Sequence, residues 1–241
     1  MRIAFLIGSI NYGGAERQLL LLARAMHARG DEVRVFVYYP DGEMQPEFEQ
    51  SGVAVEVLGK GNLLSTPRFL WRLWSKLREY APQVLYSYLA GPNLVAAILS
   101  FALPRFVLIW GIRASNVDFK HYHWVKGVVF RLNRFLSRRS DLYISNSRAG
   151  CDYHMAHGYS ARKMIVVYNG VDTQRFDINR ESGAELRIAL GIADCDPVIG
   201  VVARLDPMKG HETLLHAVAK LTTRYPGLVC LCVGDARNEY G

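Results

Sequence analysis

The chain has 241 residues, of which 50% are hydrophobic and 21% are charged, and its formal net charge is +7. This composition is typical of a globular protein and excludes a disordered chain, while the length suits one large domain or one and a half ordinary ones. The positive charge favours acidic partners such as nucleotides, anionic lipid or nucleic acid, without choosing among them.

The first predicted element is a buried strand at residues 3–7. Its apolar run is very short and no small-residue cleavage site follows, so we expect a strand here and not a signal sequence. The loop after it contains Gly13-Gly14. Paired glycines between a strand and a helix let a ligand approach the backbone, although the alternative is a plain tight turn. The spacing matches neither the dinucleotide fingerprint nor a P-loop.

Strands and helices then alternate along the chain. A helix is predicted at 15–29, with Gly30 placed to end it. Another begins at Ser65-Thr66-Pro67, with a hydroxyl cap and proline in the first turn. Gly91-Pro92 and Pro104 divide the apolar stretch 84–112 into pieces too short to span a membrane. Further strands are predicted at 33–38, 53–57, 84–89, 106–112, 142–145 and 164–168. This alternation predicts a mostly parallel sheet covered on both faces.

The predicted helix at about 119–139 is amphipathic. We expect its apolar stripe to face the core and its basic flank to be solvated. The alternative is a surface that docks on anionic lipid, which would suit a lipid-linked acceptor. The stripe consists of Trp124, Val125, Val128, Val129, Leu132, Phe135 and Leu136, and the neighbouring basic arc of Lys120, Arg131, Arg134 and Arg138.

The alternating pattern changes after the last of these strands. Asn169-Gly170 predicts a left-handed backbone and a sharp chain reversal. We place a first domain at 1–176, a linker at 177–197 and the start of a second domain at 198–241. The second domain offers only one strand-helix-strand unit, at 198–203, 211–223 and 228–233. Such a unit is too small for a stable domain, so we expect the second domain to be incomplete.

Two cations lie between the strand and the helix of this unit. Arg204 and Lys209 occupy the loop at the carboxyl end of the strand, where open α/β sheets bind ligands. The free N–H groups of the following helix favour an anion. A planar guanidinium and a mobile ammonium together suit phosphate oxygens. The alternative is that both are ordinary solvated loop residues.

Four segments together resemble the family-4 (group 1) retaining glycosyltransferases of GT-B fold. They occur in the family's order and cover the chain from end to end. They are Gly13-Gly14-Ala15-Glu16, Ser145-Asn146-Ser147, Tyr168-Asn169-Gly170-Val171-Asp172 and Val202-Ala203-Arg204-Leu205-x-x-x-Lys209-Gly210. The resemblance implies two Rossmann-like α/β domains, the first with a parallel sheet, and a cleft between them.

The resemblance also implies a function. Such enzymes transfer a sugar from a nucleoside-diphosphate sugar to an acceptor with retention of configuration. By position, Arg204 and Lys209 would stabilise the departing diphosphate, and Gly13, Gly14 and Asn169 would help to bind the donor. Cations and N–H donors placed where charge builds on the leaving group stabilise the transition state, so no metal or other cofactor is expected.

The likeness extends to the acceptor and the cellular location. A lipid-linked or saccharide acceptor is implied, in surface polysaccharide or glycolipid biosynthesis. The four cysteines have no zinc-site spacing, which favours a reducing cytoplasm, with the inner membrane face as the place of a lipid-linked acceptor. Asp194-x-Asp196 precedes its strand and is not expected to bind metal.

The chain departs from the family pattern in two places. The paired-glutamate motif of the second domain is absent from these 241 residues. Where many members have a histidine after the 106–112 strand, this chain has Arg113, followed by Asn116. We assign both to the acceptor side, and Arg113 cannot serve as a base because arginine stays protonated.

Two other functions compete with a transferase. One is a non-catalytic or partner-completed binding module derived from the GT-B fold. The other, nucleic-acid binding, rests on net charge alone, because basic and aromatic residues are not interleaved in a recognisable motif. We therefore do not expect nucleic acid as a partner.

Overall fold

The computed structural model describes residues 1–113, 124–173, 176 and 183–235. The chain divides into two compact units, Met1–Val171 (unit 1) and Asp172–Gly241 (unit 2). Each unit is an α/β structure built on parallel strands.

Unit 1 is built on a seven-stranded sheet in the order β3-β2-β1-β4-β5-β6-β7, with every neighbouring pair parallel. The seven strands predicted for this region are confirmed, with small differences at their ends. They are β1 (Arg2–Ile7), β2 (Glu32–Val37), β3 (Ala54–Val57), β4 (Val84–Tyr88), β5 (Val107–Ile112), β6 (Leu142–Ser145) and β7 (Met164–Val166).

Helices connect these strands. They are α1 (Gly14–Ala28), α2 (Gln45–Gln50), α3 (Thr66–Tyr80), α4 (Ala90–Leu99), α5 (Trp124–Leu136) and α6 (Arg148–Ala156). Sequence reasoning missed α2, because Phe48 is its one apolar residue and a six-residue helix shows no apolar stripe. The expected apolar stripe of α3 is confirmed, since Phe69, Leu73 and Leu77 are buried. Its expected hydroxyl cap is wrong, because the Ser65 hydroxyl donates to the carbonyl of Asn62 at 2.7 Å.

The two faces of the sheet carry separate cores. Along β1, Ile3, Phe5 and Ile7 belong to the core on one face, while Ala4 and Leu6 belong to the core on the other. The first of these cores includes residues of α1 and α2, and the second includes residues of α3 and α4. The strand order reverses between β1 and β4. Their carboxyl ends therefore form the switch point at which open sheets bind ligands.

One part of the sheet is less covered than predicted. On the face that carries α1 and α2, Val107, Ile165 and Val167 are exposed in the described structure. Helices α1 and α2 contact β2 and β3, at the other side of this face. Cover of both faces is therefore partial over β5, β6 and β7 within unit 1.

Unit 2 contains α7 (Gly183–Ala189), β8 (Val198–Val202), α8 (His211–Leu221) and β9 (Val229–Val233). Strands β8 and β9 pair in parallel, from Val198 opposite Val229 to Val202 opposite Val233. The predicted strand-helix-strand unit is thus confirmed. Across the described residues of both units, no helix combines the length and apolarity that crossing a membrane requires.

Candidate active site

The Gly13-Gly14 loop lies at the carboxyl end of β1, as the sequence predicts. Gly13 is the residue before α1, and a side chain there would collide with the carboxylate of Glu16. A side chain at Gly14 would meet nothing within 4 Å. The absence of a side chain at Gly13 thus leaves room for the Glu16 carboxylate to lie against the backbone. The space beside Gly14, at the start of α1, is unoccupied by other atoms of the described residues. A role of this loop in donor binding stays a prediction.

Arg113 follows β5 directly and is held on three sides. Its Nη1 donates to Asn169 Oδ1 at 3.1 Å, and its Nη2 donates to the Tyr86 hydroxyl at 3.2 Å. The guanidinium carbon also lies 4.5 Å from the centre of the Tyr88 ring. The structure therefore brings together Arg113 and Asn169, which are 56 residues apart in sequence.

The two tyrosines beside Arg113 are uncharged phenols. Burial raises the pKa of Tyr86, and the nearby Arg113 only partly opposes this shift. Burial likewise raises the pKa of Tyr88. Arg113 therefore keeps a full positive charge that no neighbouring phenolate neutralises. The guanidinium is held by its hydrogen bonds to Asn169 and Tyr86 and by the face of the Tyr88 ring. It is therefore preorganised to bind an anionic or hydroxyl group.

Gln18 is a site residue that sequence reasoning missed. Its side-chain amide donates to the Gly170 carbonyl at 2.7 Å and accepts from the Gly170 N–H at 2.8 Å. The partners are 152 residues apart, and no local pattern signals their pairing. The two bonds tie the second turn of α1 to the segment after β7. Because α1 starts at Gly14, Gln18 links the predicted donor-binding segments of unit 1.

The predicted left-handed geometry at Asn169-Gly170 is wrong. Neither residue has a positive φ, and both are exposed. Instead, the Gln18 amide pairs with both the N–H and the C=O of Gly170. The segment at Asn169-Gly170 is therefore held by a distant side chain and not by a left-handed turn.

A small cavity of about 70 Å³ lies beside Arg113. Leu89 lines this cavity and directly precedes α4. Its backbone has φ 75° and ψ 163°, a conformation that costs a non-glycine residue about 1–3 kcal/mol. Burial lowers the pKa of His154 and so favours its neutral imidazole, while the contact of Nδ1 with the Gly150 carbonyl at 2.8 Å only partly opposes this shift. The lining also includes Asn93, Phe130, Asn133 and Tyr159.

Arg204 and Lys209 lie where the sequence predicts, between β8 and α8. Arg204 is 57% exposed, with Nη2 4.0 Å from a carboxylate oxygen of Asp206. Lys209 is exposed and ends a short 3-10 turn, Pro207–Lys209. Gly210 has φ 70° and directly precedes α8, whose first residue, His211, is buried. Both cations thus lie in the loop that joins β8 to α8, with Lys209 two residues before the first residue of the helix.

Two further predictions concern residues around these sites. Asn116 lies outside the described residues. Within the described ranges, no group of three or more histidine, cysteine, aspartate or glutamate side chains is arranged to hold a metal ion.

Comparison with known proteins gives a family match. Residues 12–175 match the profile of Glycosyltransferase Family 4. D-inositol 3-phosphate glycosyltransferase of Corynebacterium urealyticum is 36% identical over 101 residues, which is 40% of this chain and 22% of that protein. GDP-mannose-dependent monoacylated alpha-(1-6)-phosphatidylinositol monomannoside mannosyltransferase of Corynebacterium glutamicum is 36% identical over 72 residues, 30% of this chain and 19% of that protein. The matches thus span about a fifth of these relatives.

Among solved structures, Anabaena Alr3699/HepE in complex with UDP-glucose superimposes with a TM-score of 0.81 at 28% identity. The match covers 98% of this chain and 61% of that protein. The fold of the chain is therefore that of the GT-B glycosyltransferases, over about three fifths of that relative's length.

Proposed function

Because the chain belongs to glycosyltransferase family 4, we propose that it acts in the transfer of a sugar from a nucleoside-diphosphate sugar to an acceptor, with retention of configuration. The observation that carries the proposal is the position of Arg204 and Lys209 in the loop between β8 and α8, after the carboxyl end of the strand. The UDP-glucose complex of the Anabaena relative supports a donor of this class.

Arg204 and Lys209 are proposed to stabilise the diphosphate leaving group. Negative charge grows on the bridging oxygen as the glycosidic bond breaks, so cations already in place lower the barrier. The N–H groups at the start of α8 add a positive dipole end. We propose no metal or other cofactor, because these groups supply the charge that a divalent ion would otherwise provide.

Residues of unit 1 are proposed to complete substrate binding. Gly13 and Gly14 are proposed to border the donor through their backbone N–H groups, and Asn169 offers a side-chain amide that Arg113 holds in place. We place Arg113 and Asn116 on the acceptor side. Arg113 binds and orients there, since a permanently protonated guanidinium cannot remove a proton.

The acceptor is proposed to be lipid-linked or a saccharide, in surface polysaccharide or glycolipid biosynthesis. The two bacterial relatives support this class, because their names specify an inositol phosphate and a phosphatidylinositol mannoside. We further propose that the protein acts in the cytoplasm, at the inner face of the cell membrane, where it would meet a lipid-linked acceptor.

Calorimetric titration of the chain with UDP, GDP and ADP tests this proposal. At least one diphosphate should bind, and Arg204→Ala and Lys209→Ala should each weaken it by at least about tenfold, because each removes a charge-assisted hydrogen bond. Lys220→Ala is the matched control, since Lys220 is an exposed cation near the other end of α8.

The outcomes separate the competing functions. Affinity that is unchanged in both variants contradicts the assignment of Arg204 and Lys209. Binding that depends on both cations, without transfer or hydrolysis of any nucleotide sugar, favours the non-catalytic binding module over the transferase.

A further inference from the structure

The outer face of α5 is apolar and exposed. Three residues on it, at helical spacings of four and three, are accessible in the structure: Val128 is 41% exposed, Leu132 43% and Phe135 76%. The face that packs inward is instead formed by Asn133 and Ser137, both buried, and by Leu136, which contacts the core. The expectation that the whole apolar stripe faces the core is therefore wrong.

A basic arc lies next to this apolar stripe. Arg131, Arg134 and Arg138 are all exposed. At 100° per residue they fall on one arc, beside the stripe and opposite the buried arc. Among the described residues, none of the three is in an ion pair with a carboxylate. We call the stripe and this arc together the α5 face.

An aromatic and a cation extend the α5 face at its carboxyl end. Phe101, just after α4, is exposed, and the guanidinium of Arg139 lies 4.3 Å from its ring centre. Arg139 also donates to the Ser100 carbonyl at 3.1 Å, which holds the pair together. An exposed phenylalanine beside arginine is suited to the boundary between lipid headgroups and acyl chains.

We propose that the α5 face docks the protein on an anionic membrane surface. Charge complementarity selects this partner: arginines attract anionic headgroups while the neighbouring apolar side chains enter the boundary region. The proposal deepens the proposed function, and rests on it only for the lipid-linked acceptor, because vesicle binding needs no transfer reaction.

Other exposed apolar surfaces fit this partner less well. On α3, Trp71 is the one large hydrophobic side chain that is exposed among the described residues, so this helix presents no apolar stripe. The uncovered sheet face at Val107, Ile165 and Val167 is apolar, and parallel sheets bury such faces under helices, not lipid.

Vesicle flotation tests the proposal with the whole chain. Vesicles of phosphatidylcholine mixed with phosphatidylglycerol should carry the protein, and vesicles of phosphatidylcholine alone should not. The triple variant Arg131→Gln, Arg134→Gln, Arg138→Gln should reduce partitioning about 100-fold, on the usual scale for three basic residues at an anionic surface. Phe135→Ser should reduce it by about tenfold.

A matched control removes the same charge elsewhere. Arg148→Gln, Arg162→Gln, Lys220→Gln replaces three exposed cations outside α5 and should leave partitioning nearly unchanged. Unfolding curves should coincide for all variants, since every substituted side chain is exposed.

Three results would overturn the proposal. The first is equal flotation with and without phosphatidylglycerol, and the second is equal loss in the α5 and control triple variants. The third is unchanged flotation of Phe135→Ser together with loss of a self-associated form, which would assign the α5 face to a second copy of the chain. Diphosphate titration of the same variants reports separately on the proposed function.

Discussion

Arg113 in unit 1 and the cations of unit 2 represent two ways to present positive charge. Arg113 is held by Asn169, Tyr86 and Tyr88. Arg204 is more than half exposed and its nearest described carboxylate oxygen, on Asp206, is 4.0 Å away. A fixed cation loses little entropy on binding and suits the orientation of one group, whereas exposed cations adapt to a charged ligand that enters and leaves.

The difference follows from where the chain places each residue. Arg113 directly follows β5, an interior strand of the sheet whose Trp110 and Leu108 are buried, so the core fixes the backbone that leads to it. Arg204 and Lys209 lie beyond β8 in a loop, and both side chains are exposed. The predictions below test how far each cation depends on its surroundings.

The largest expected effect is on stability, and it comes from truncating Trp110, a buried side chain of the strand that leads to Arg113. Trp110→Ala should lower the free energy of unfolding by about 3–5 kcal/mol, because it deletes a completely buried side chain and leaves a cavity. Urea unfolding followed by circular dichroism measures this loss. Trp71→Ala is the control, since an exposed tryptophan should cost no more than about 0.5 kcal/mol. Equal losses in the two variants would show that β5 does not hold Arg113 as described.

A smaller, local effect is expected at the segment that holds Asn169. Gln18→Ala removes both hydrogen bonds to Gly170, so the Gly170 amide should exchange with solvent about tenfold faster. Hydrogen exchange followed by NMR measures this rate. Gln45→Ala is the control, because the Gln45 amide bonds only within its own helix, to Glu49. If Gln18→Ala leaves the Gly170 rate unchanged, Gln18 does not position the segment.

The smallest expected effect is a pH dependence of the free energy of unfolding, which arises from His154 in the lining of the cavity beside Arg113. Burial holds the pKa of His154 below its ordinary 6.5, so the unfolded chain binds this proton more readily than the folded one. Stability from the neutral imidazole is therefore present above about pH 6.5 and is lost as the pH falls toward the folded value. His154→Gln should flatten this part of the stability curve. His157→Gln, which changes a neighbouring histidine on the same helix end, should keep it; equal curves for both would contradict a buried neutral His154.

Strands and loop positions were predictable because they depend on local periodicity. The apolar runs of β1 and β8 and the cations after β8 can be read directly, and Arg204 and Lys209 occupy the loop expected for them. The parallel order of the sheet followed from alternation with helices.

Contacts over long sequence distances were not predictable. The pairing of Gln18 with Gly170 and of Arg113 with Asn169 depends on which strand edges meet in space. The left-handed geometry assigned to Asn169-Gly170 failed for the same reason, because a distant side chain fixes that segment. The stripe of α5 was misassigned because periodicity marks an apolar face without saying whether the fold covers it.

The different roles of Arg113 and Arg204 are tested most directly by one titration series with the tightest-binding nucleoside diphosphate. Arg204→Gln and Arg113→Gln are compared with the unchanged chain. We expect affinity to fall by at least about tenfold for Arg204→Gln. We expect a change within about threefold for Arg113→Gln, because Arg113 is proposed to act on the donor through its hydrogen bond to Asn169. If affinity falls as much for Arg113→Gln as for Arg204→Gln, or more, the diphosphate depends on the fixed cation of unit 1 and the proposed division of roles is wrong.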